Sequence, residues 1–417
     1  MVRKPLLPVA LASTSLRFVG LFVSLGLLVA CGGHSSSTTQ VPPAGTTNVQ
    51  QIVVNGGPVS GQRYPDAAFT SVTICAPKST NCATVDGILV DTGSFGLRIL
   101  KSAIPSLSLP TLSQSGSTIY NCVSFVDNSF LFGQVAQADV KIAGEVASAA
   151  SIHVVADPTG FAVPAACSNG GVDADNQQTL GANGILGVGA EPEDCGLACD
   201  PSAGGQPPAV YFTCGTTGNC NSAFVSVSQQ VVNPVVRFSK DNNGVLVKLP
   251  SINGVAATAT GSLIFGIGTQ TNNMLPTTAT VFTLDSFGNF TTHFNNQALT
   301  RSFIDSGSNG LFFPDSAIPQ CPANAAPGFY CPTTTLNLSA QNSSQSGASN
   351  TVNFSIDNAV NVFNGNPTAD AFSNLGGSSG SGTFDWGLPF FYGRTVFTSI
   401  NGQPVPTGQP AAPWWAY

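Results

Sequence analysis

Two stretches of this chain read as copies of each other, and that echo constrains the fold more than any other feature. "ILVDTGSFGLRIL", residues 88–100, is answered by "SFIDSGSNGLFFP", residues 302–314. Each runs apolar–apolar–Asp–(Thr/Ser)–Gly–Ser–x–Gly–Leu, and the aspartates, Asp91 and Asp305, stand 214 positions apart (305 − 91). A single motif of this kind is weak, since Asp before Gly commonly makes a tight turn. Two copies so far apart point to a duplicated half-domain, because repeat arrays have much shorter periods. A chain of 417 residues is long for one compact core and has room for two halves.

The surrounding sequence predicts an all-β architecture. Forty-five Gly, 29 Pro and only 8% charged residues describe many turns and few surface ion pairs. Short Val/Ile/Thr/Phe runs sit between clusters of Gly, Asn, Pro and Ser, as strands do, and no long helical period interrupts them. "AFTSVTIC", "GILVDTG", "ADVKIAG", "ASIHVVA" and "GILGVG" form a first series. A second, beginning near "NPVVRFS", contains "GVLVKLP", "GSLIFGIG", "TVFTLDS", "SFIDSGS", "TVNFSI" and "TVFTSI". The boundary falls around Val232–Arg237, which gives an N-terminal β-lobe over 51–233 and a C-terminal β-lobe over 234–417. A net charge of −7 with no basic cluster argues against a nucleic-acid partner.

The chain opens like an exported protein. Arg3, Lys4 and Arg17 precede "FVGLFVSLGLLVA", residues 18–30, an apolar run too short to span a bilayer comfortably. It ends in "LVAC", which resembles the lipobox of bacterial lipoproteins, with residues 1–30 as signal peptide. That resemblance implies that Cys31 is lipidated and is the only membrane attachment. Residues 31–50 then supply a polar Ser/Thr/Pro/Gly tether, and the rest faces the periplasm or the cell surface. Setting Cys31 aside leaves ten cysteines, an even number suited to an oxidising compartment. Four pairs lie close in sequence: Cys75 with Cys82, Cys195 with Cys199, Cys214 with Cys220, and Cys321 with Cys331. That leaves Cys122 with Cys167 as a longer link. Proximity does not establish connectivity. The spacings form no paired zinc knuckles, and no metal site is expected.

The paired motifs resemble the catalytic loops of the pepsin-like aspartic proteases, in which each lobe contributes an Asp-Thr/Ser-Gly loop and the two loops meet between lobes. "NGILGVG", residues 183–189, and "FDWGLPFFYGRTVF", residues 384–397, resemble the apolar-apolar-Gly strands that back those loops, and the likeness extends over about 51–405. The resemblance implies a bilobal fold and a peptidase in which Asp91 and Asp305 share a proton and activate one water. It implies that Gly93 and Gly307 permit the turns, that Thr92 and Ser306 hydrogen-bond between lobes, and that Ser94 and Ser308 bond the outer carboxylate oxygens. The substrate is then a peptide or protein in the cleft of a monomer, with no cofactor. The chain also resembles a group of uncharacterised bacterial lipoproteins with this double motif, a likeness that carries no function.

Two departures stand out. The family's flap is a hairpin with a tyrosine and a glycine-rich tip. Here it falls in "VSFVDNSFLFG", residues 123–133, which has neither. Phe125, Val126 and Asp127 are the flap candidates, with Asp127-Asn128 making the turn, and Tyr120 fits only in a shifted register. The second departure is Asp385, where the family has an aliphatic residue before Trp386 and Gly387. The altered hairpin motivates an alternative function, a pepsin-like scaffold acting as a non-catalytic envelope binding or assembly lipoprotein.

Other patterns are weaker. "GGSSG", residues 376–380, matches a hydrolase nucleophile elbow, but all three histidines, His34, His153 and His293, precede it, so a flexible Gly/Ser loop is expected. "DADN", residues 173–176, lacks the rest of a calcium loop and reads as a solvated turn. His153 reads as structural, and "PWWAY", residues 413–417, as a tail packed on the body. Asn289 and Asn337 begin Asn-x-Ser/Thr matches that matter only in a glycosylating host.

Overall fold

A computed structural model describes residues 48–156, 162–215 and 218–417. The signal segment, Cys31, His34 and all but the end of the tether therefore lie outside the described residues. The fold is all-β: among the described residues the longest helix, Ala359–Gly365, has seven residues. None is long and apolar enough to cross a membrane.

Alternation creates the strands. In Ser129–Ile142, Ala138, Val140 and Ile142 turn inward while Gln137, Asp139 and Lys141 turn outward, the period-two pattern of a half-buried strand. The strand Ala68–Cys75 coincides with one of the expected runs. A seventeen-stranded sheet runs through both halves of the chain, and a seven-stranded sheet is confined to the second half. Val49–Val54 joins the halves directly, pairing with Ala68–Cys75 on one side and Ala259–Phe265 on the other. The C-terminal strand Trp414–Ala416 enters the same sheet beside Val281–Thr283 and Thr395–Ser399. Trp414 and Trp415 are buried, so the aromatic tail packs on the body.

The sequence echo has a matching echo in register. Gly184–Val188 lies parallel to Cys82–Asp91 with Gly187 opposite Asp91, and antiparallel to Phe95–Leu100 with Leu186 opposite Leu97. In the second half, Asp385–Trp386 lies parallel to Gln297–Ile304 with Trp386 opposite Ile304, and antiparallel to Leu311–Phe312 with Trp386 opposite Leu311. The two "apolar-apolar-Gly" segments therefore back the two aspartate loops at equivalent rungs, and Asp385 occupies the rung held by Ile185 in the first half.

Several local expectations are corrected. Gly376–Gly377 of "GGSSG" is not a flexible loop but a strand parallel to Leu311–Phe312. A Cβ on Gly376 would stand 2.8 Å from the Leu311 carbonyl oxygen, so the missing side chain permits close packing there. In "DADN", Asp173 belongs to the short strand Val172–Asp173, and Asn176 caps the helix Gln177–Leu180 by accepting from Gln178 and Thr179 main-chain N–H groups. "NPVVRFS" opens as a 3-10 turn, Pro234–Arg237.

The cysteines settle the connectivity that their spacing left open. Cys75 is bonded to Cys82, Cys195 to Cys199, Cys214 to Cys220 and Cys321 to Cys331, each closing a loop of ten residues or fewer in sequence separation. Cys122 is bonded to Cys167 across 45 positions. The short links tie local turns. Cys214 and Cys220 stand opposite each other on the antiparallel strands Tyr211–Cys214 and Cys220–Ser222, and Cys75 and Cys82 do the same on Ala68–Cys75 and Cys82–Asp91. Cys195 and Cys199 flank the 3-10 turn Gly196–Cys199, and Cys321 and Cys331 bracket the turn that returns the chain from Gln320 to Tyr330. Five disulfides mark an extracytoplasmic protein.

Candidate active site

Asp91 ends the strand Cys82–Asp91, whose residues Ile88, Leu89 and Val90 are buried. Asp305 directly follows Gln297–Ile304. Each carboxylate is gripped by its own loop. Gly93 N–H donates to Asp91 Oδ1 at 2.7 Å and Ser94 Oγ to Oδ2 at 2.5 Å. Gly307 N–H donates to Asp305 Oδ1 at 2.8 Å and Ser308 Oγ to Oδ2 at 3.1 Å. The side chains are nearly closed off, Asp91 being 5% and Asp305 1% exposed.

The two loops interlock through four hydrogen bonds. Thr92 N–H donates to Ser306 Oγ at 3.1 Å, and Ser306 N–H donates to Thr92 Oγ1 at 2.9 Å. The hydroxyls in turn donate to the carbonyls before the aspartates, Thr92 Oγ1 to Ile304 at 3.3 Å and Ser306 Oγ to Val90 at 2.8 Å. This reciprocity carries the carboxyls to one spot. A Cβ on Gly307 would lie 2.8 Å from Asp91 Oδ1 and 3.1 Å from Asp305 Oδ1. A side chain there would collide with the Asp91 carboxyl and press on that of Asp305, and the gap between those oxygens cannot exceed the sum of the two distances.

A third carboxyl adjoins them. Ser308 Oγ, besides contacting Asp305, lies 2.6 Å from Asp385 Oδ2. Asp385 is 5% exposed and lines a cavity of about 840 Å³ whose wall includes Arg301, Phe303, Phe312, Ser378 and Val126. Val126, 49% exposed, comes from the turn between the strands Ser117–Ser124 and Ser129–Ile142. In that turn Asn128 N–H donates to Phe125 O at 3.0 Å, and Asp127 Oδ1 accepts from Ser129 N–H at 2.9 Å. Of the three flap candidates, only Val126 reaches the cavity wall. Phe125 is buried in the hairpin, and Asp127 shapes the turn. Tyr120 is buried too, stacked on Phe132 with its Oη accepting from Gln134 Nε2 at 3.1 Å, so it supplies no hydroxyl at the hairpin tip.

Two buried polar clusters behind the site are not evident in the sequence. Arg98 pairs with Asp194 at 3.3 Å, both side chains being almost fully enclosed. Asn121 Nδ2 donates to the same carboxylate at 2.8 Å, and Tyr211 Oη donates to its other oxygen. Burial pushes the Asp194 carboxyl up, against the opposing pull of Arg98. His153, facing Arg98, is held neutral because burial, aided by that guanidinium, drives it well below its ordinary value. The second cluster is centred on Asp66, whose Oδ1 accepts from Tyr392 Oη and Phe372 N–H at 2.7 Å each. Asp66 Oδ2 has no partner among the described residues, and burial raises this carboxyl well above the usual range. The local signals were a lone Arg in "FGLRIL" and a lone Asp after a Pro. Their partners lie far along the chain.

The fold is all-β and holds two matching Asp loops whose carboxyls face one glycine. The chain belongs to the DUF3443 family, described as a protein of unknown function, whose profile matches residues 44–417. No curated protein matches it.

Proposed function

We propose that the chain is a two-lobed, pepsin-like aspartic endopeptidase, exported and held to its membrane by lipidated Cys31. The observation that carries this reading is the approach of the Asp91 and Asp305 carboxyls to the one position beside Gly307 that a side chain would fill. Two carboxyls facing one position can divide the work, one as general base and the other as general acid. A water between them gives a proton to the ionised carboxyl while its oxygen attacks the peptide carbonyl. The protonated carboxyl donates to the carbonyl oxygen, and the resulting gem-diol collapses as the leaving nitrogen is protonated. The serine and glycine donors hold both carboxyls without rearrangement.

The test is cleavage of an unfolded protein by the purified protein from about pH 3 to 7. Asp91→Asn and Asp305→Asn should each abolish it, and cleavage surviving either change rejects the mechanism. A second reading, a non-catalytic envelope-binding protein on the same scaffold, draws on the hairpin, which presents Val126 and no hydroxyl toward the cavity. Absence of cleavage at every pH by correctly disulfide-bonded protein favours that reading.

A further inference from the structure

Ser308 carries one hydroxyl proton but faces two carboxyls, Asp385 at 2.6 Å and Asp305 at 3.1 Å. In the other loop, the bond from Ser94 goes to Asp91, at 2.5 Å. The difference between the halves is Asp385 itself, a nearly buried acid on the rung where the duplicate has Ile185. Burying an acid beside another acid is costly unless it is hydrogen-bonded, and here the bond runs into the candidate site. We propose that Asp385 is a positioning residue of the site. It is a third carboxyl, joined to Asp305 through Ser308, that extends the activity of the pair to higher pH than two carboxyls alone would. This rests on the reading of Asp91 and Asp305 as a catalytic pair.

The sign follows from the charges that face Asp385. Asp305 adjoins it across Ser308, and Asp91 lies beyond Gly307. Arg301 and Asp285 share the cavity wall, with the Arg301 guanidinium donating to the Ser381 carbonyl. The flanking strand Leu311–Phe312 brings no charge. Removing Asp385 leaves Arg301 and Asp285 in place, so the comparison reads the contribution of its carboxyl. A charge about 6 Å away at an effective dielectric constant of about 20 displaces a neighbouring titration by about two pH units. Solvent entering through the cavity reduces that to about one.

The experiment compares the full-length protein with Asp385→Ile, which restores the residue of the other half, and Asp385→Asn, which keeps the size and a polar partner for Ser308. The pH–rate profile should keep its shape and move its alkaline limb down by about one to two pH units in both variants. A profile that stays in place in Asp385→Asn while Asp91→Asn abolishes cleavage overturns the inference and spares the peptidase reading. If the parent cleaves nothing, the peptidase reading fails instead. The pH dependence of urea unfolding then decides: the variants should differ from the parent by up to one proton between about pH 4 and 7, and coincident curves overturn the inference.

Discussion

Thr92→Val removes one hydroxyl and keeps the side chain's shape. In the folded protein that hydroxyl accepts from Ser306 N–H at 2.9 Å and donates to Ile304 O at 3.3 Å. Valine therefore strands a fully buried main-chain donor and takes one partner from a buried carbonyl. An orphaned buried donor costs about 1–3 kcal/mol and a lost bond to a carbonyl about 1, so destabilisation of about 2–4 kcal/mol is expected. Ser306→Ala should cost a similar amount, because it strands Thr92 N–H and removes the bond to Val90 O. The two side chains lie in one hydrogen-bond network, so the double variant should depart from the sum of both losses. Urea unfolding of the oxidised protein reads this out with two probes. Fluorescence reports the second half, since Trp386, Trp414 and Trp415 all lie there, buried, while far-UV circular dichroism reports both halves. Thr92→Ser should stay within about 1 kcal/mol of the parent. If Thr92→Val and Ser306→Ala both fall within about 0.5 kcal/mol of the parent, the interlocked loops do not hold the site together. A double variant much less damaged than the sum would mean that the first loss already frees the loops.

The buried clusters make two further predictions. Asp66 has its pKa raised by burial, so the folded protein holds a proton that the unfolded chain releases. Stability should thus fall as pH climbs above the ordinary carboxylate value of 3.8, by up to about 1.4 kcal/mol per pH unit until the folded group ionises. Asp66→Asn should remove that slope, and equal slopes for parent and variant in urea unfolding would refute it. Arg98→Met leaves the Asp194 carboxyl enclosed without its cation, for a loss of about 3–5 kcal/mol. Adding Asp194→Asn should return part of that loss, and a double variant no better than the single one would show that the pair is not the cause.

Much of the site is legible in the sequence because its signals are local. An apolar run, an aspartate and a turn triplet fit within a few residues, and the second copy gives the partner of the first. Asp385 is conspicuous for the same reason, as an acid inside an otherwise apolar strand. The short disulfides are legible too, since Cys195 and Cys199, or Cys214 and Cys220, have little chain between them in which to find another partner. What the sequence hides is pairing over distance. Arg98 reads as an ordinary charge until Asp194, Asn121 and Tyr211 close around it, and nothing near Asp66 announces Tyr392 or Phe372. The "GGSSG" segment misleads in the opposite sense. Glycines that look mobile in isolation are here the only residues thin enough to pass beneath Ile356 and against Leu311.

The sheet that takes Val49–Val54 also takes Trp414–Ala416. Val49–Val54 cannot complete its pairing until Ala259–Phe265 has left the biosynthetic machinery. During synthesis the earliest strand must wait for a partner from the second half, Ala259–Phe265, with that edge unpaired. Loop closure over such sequence distances is slow, so that edge stays open longer than one paired by a local hairpin. The same weave that makes the finished protein one unit thereby makes its first strand dependent on its second half.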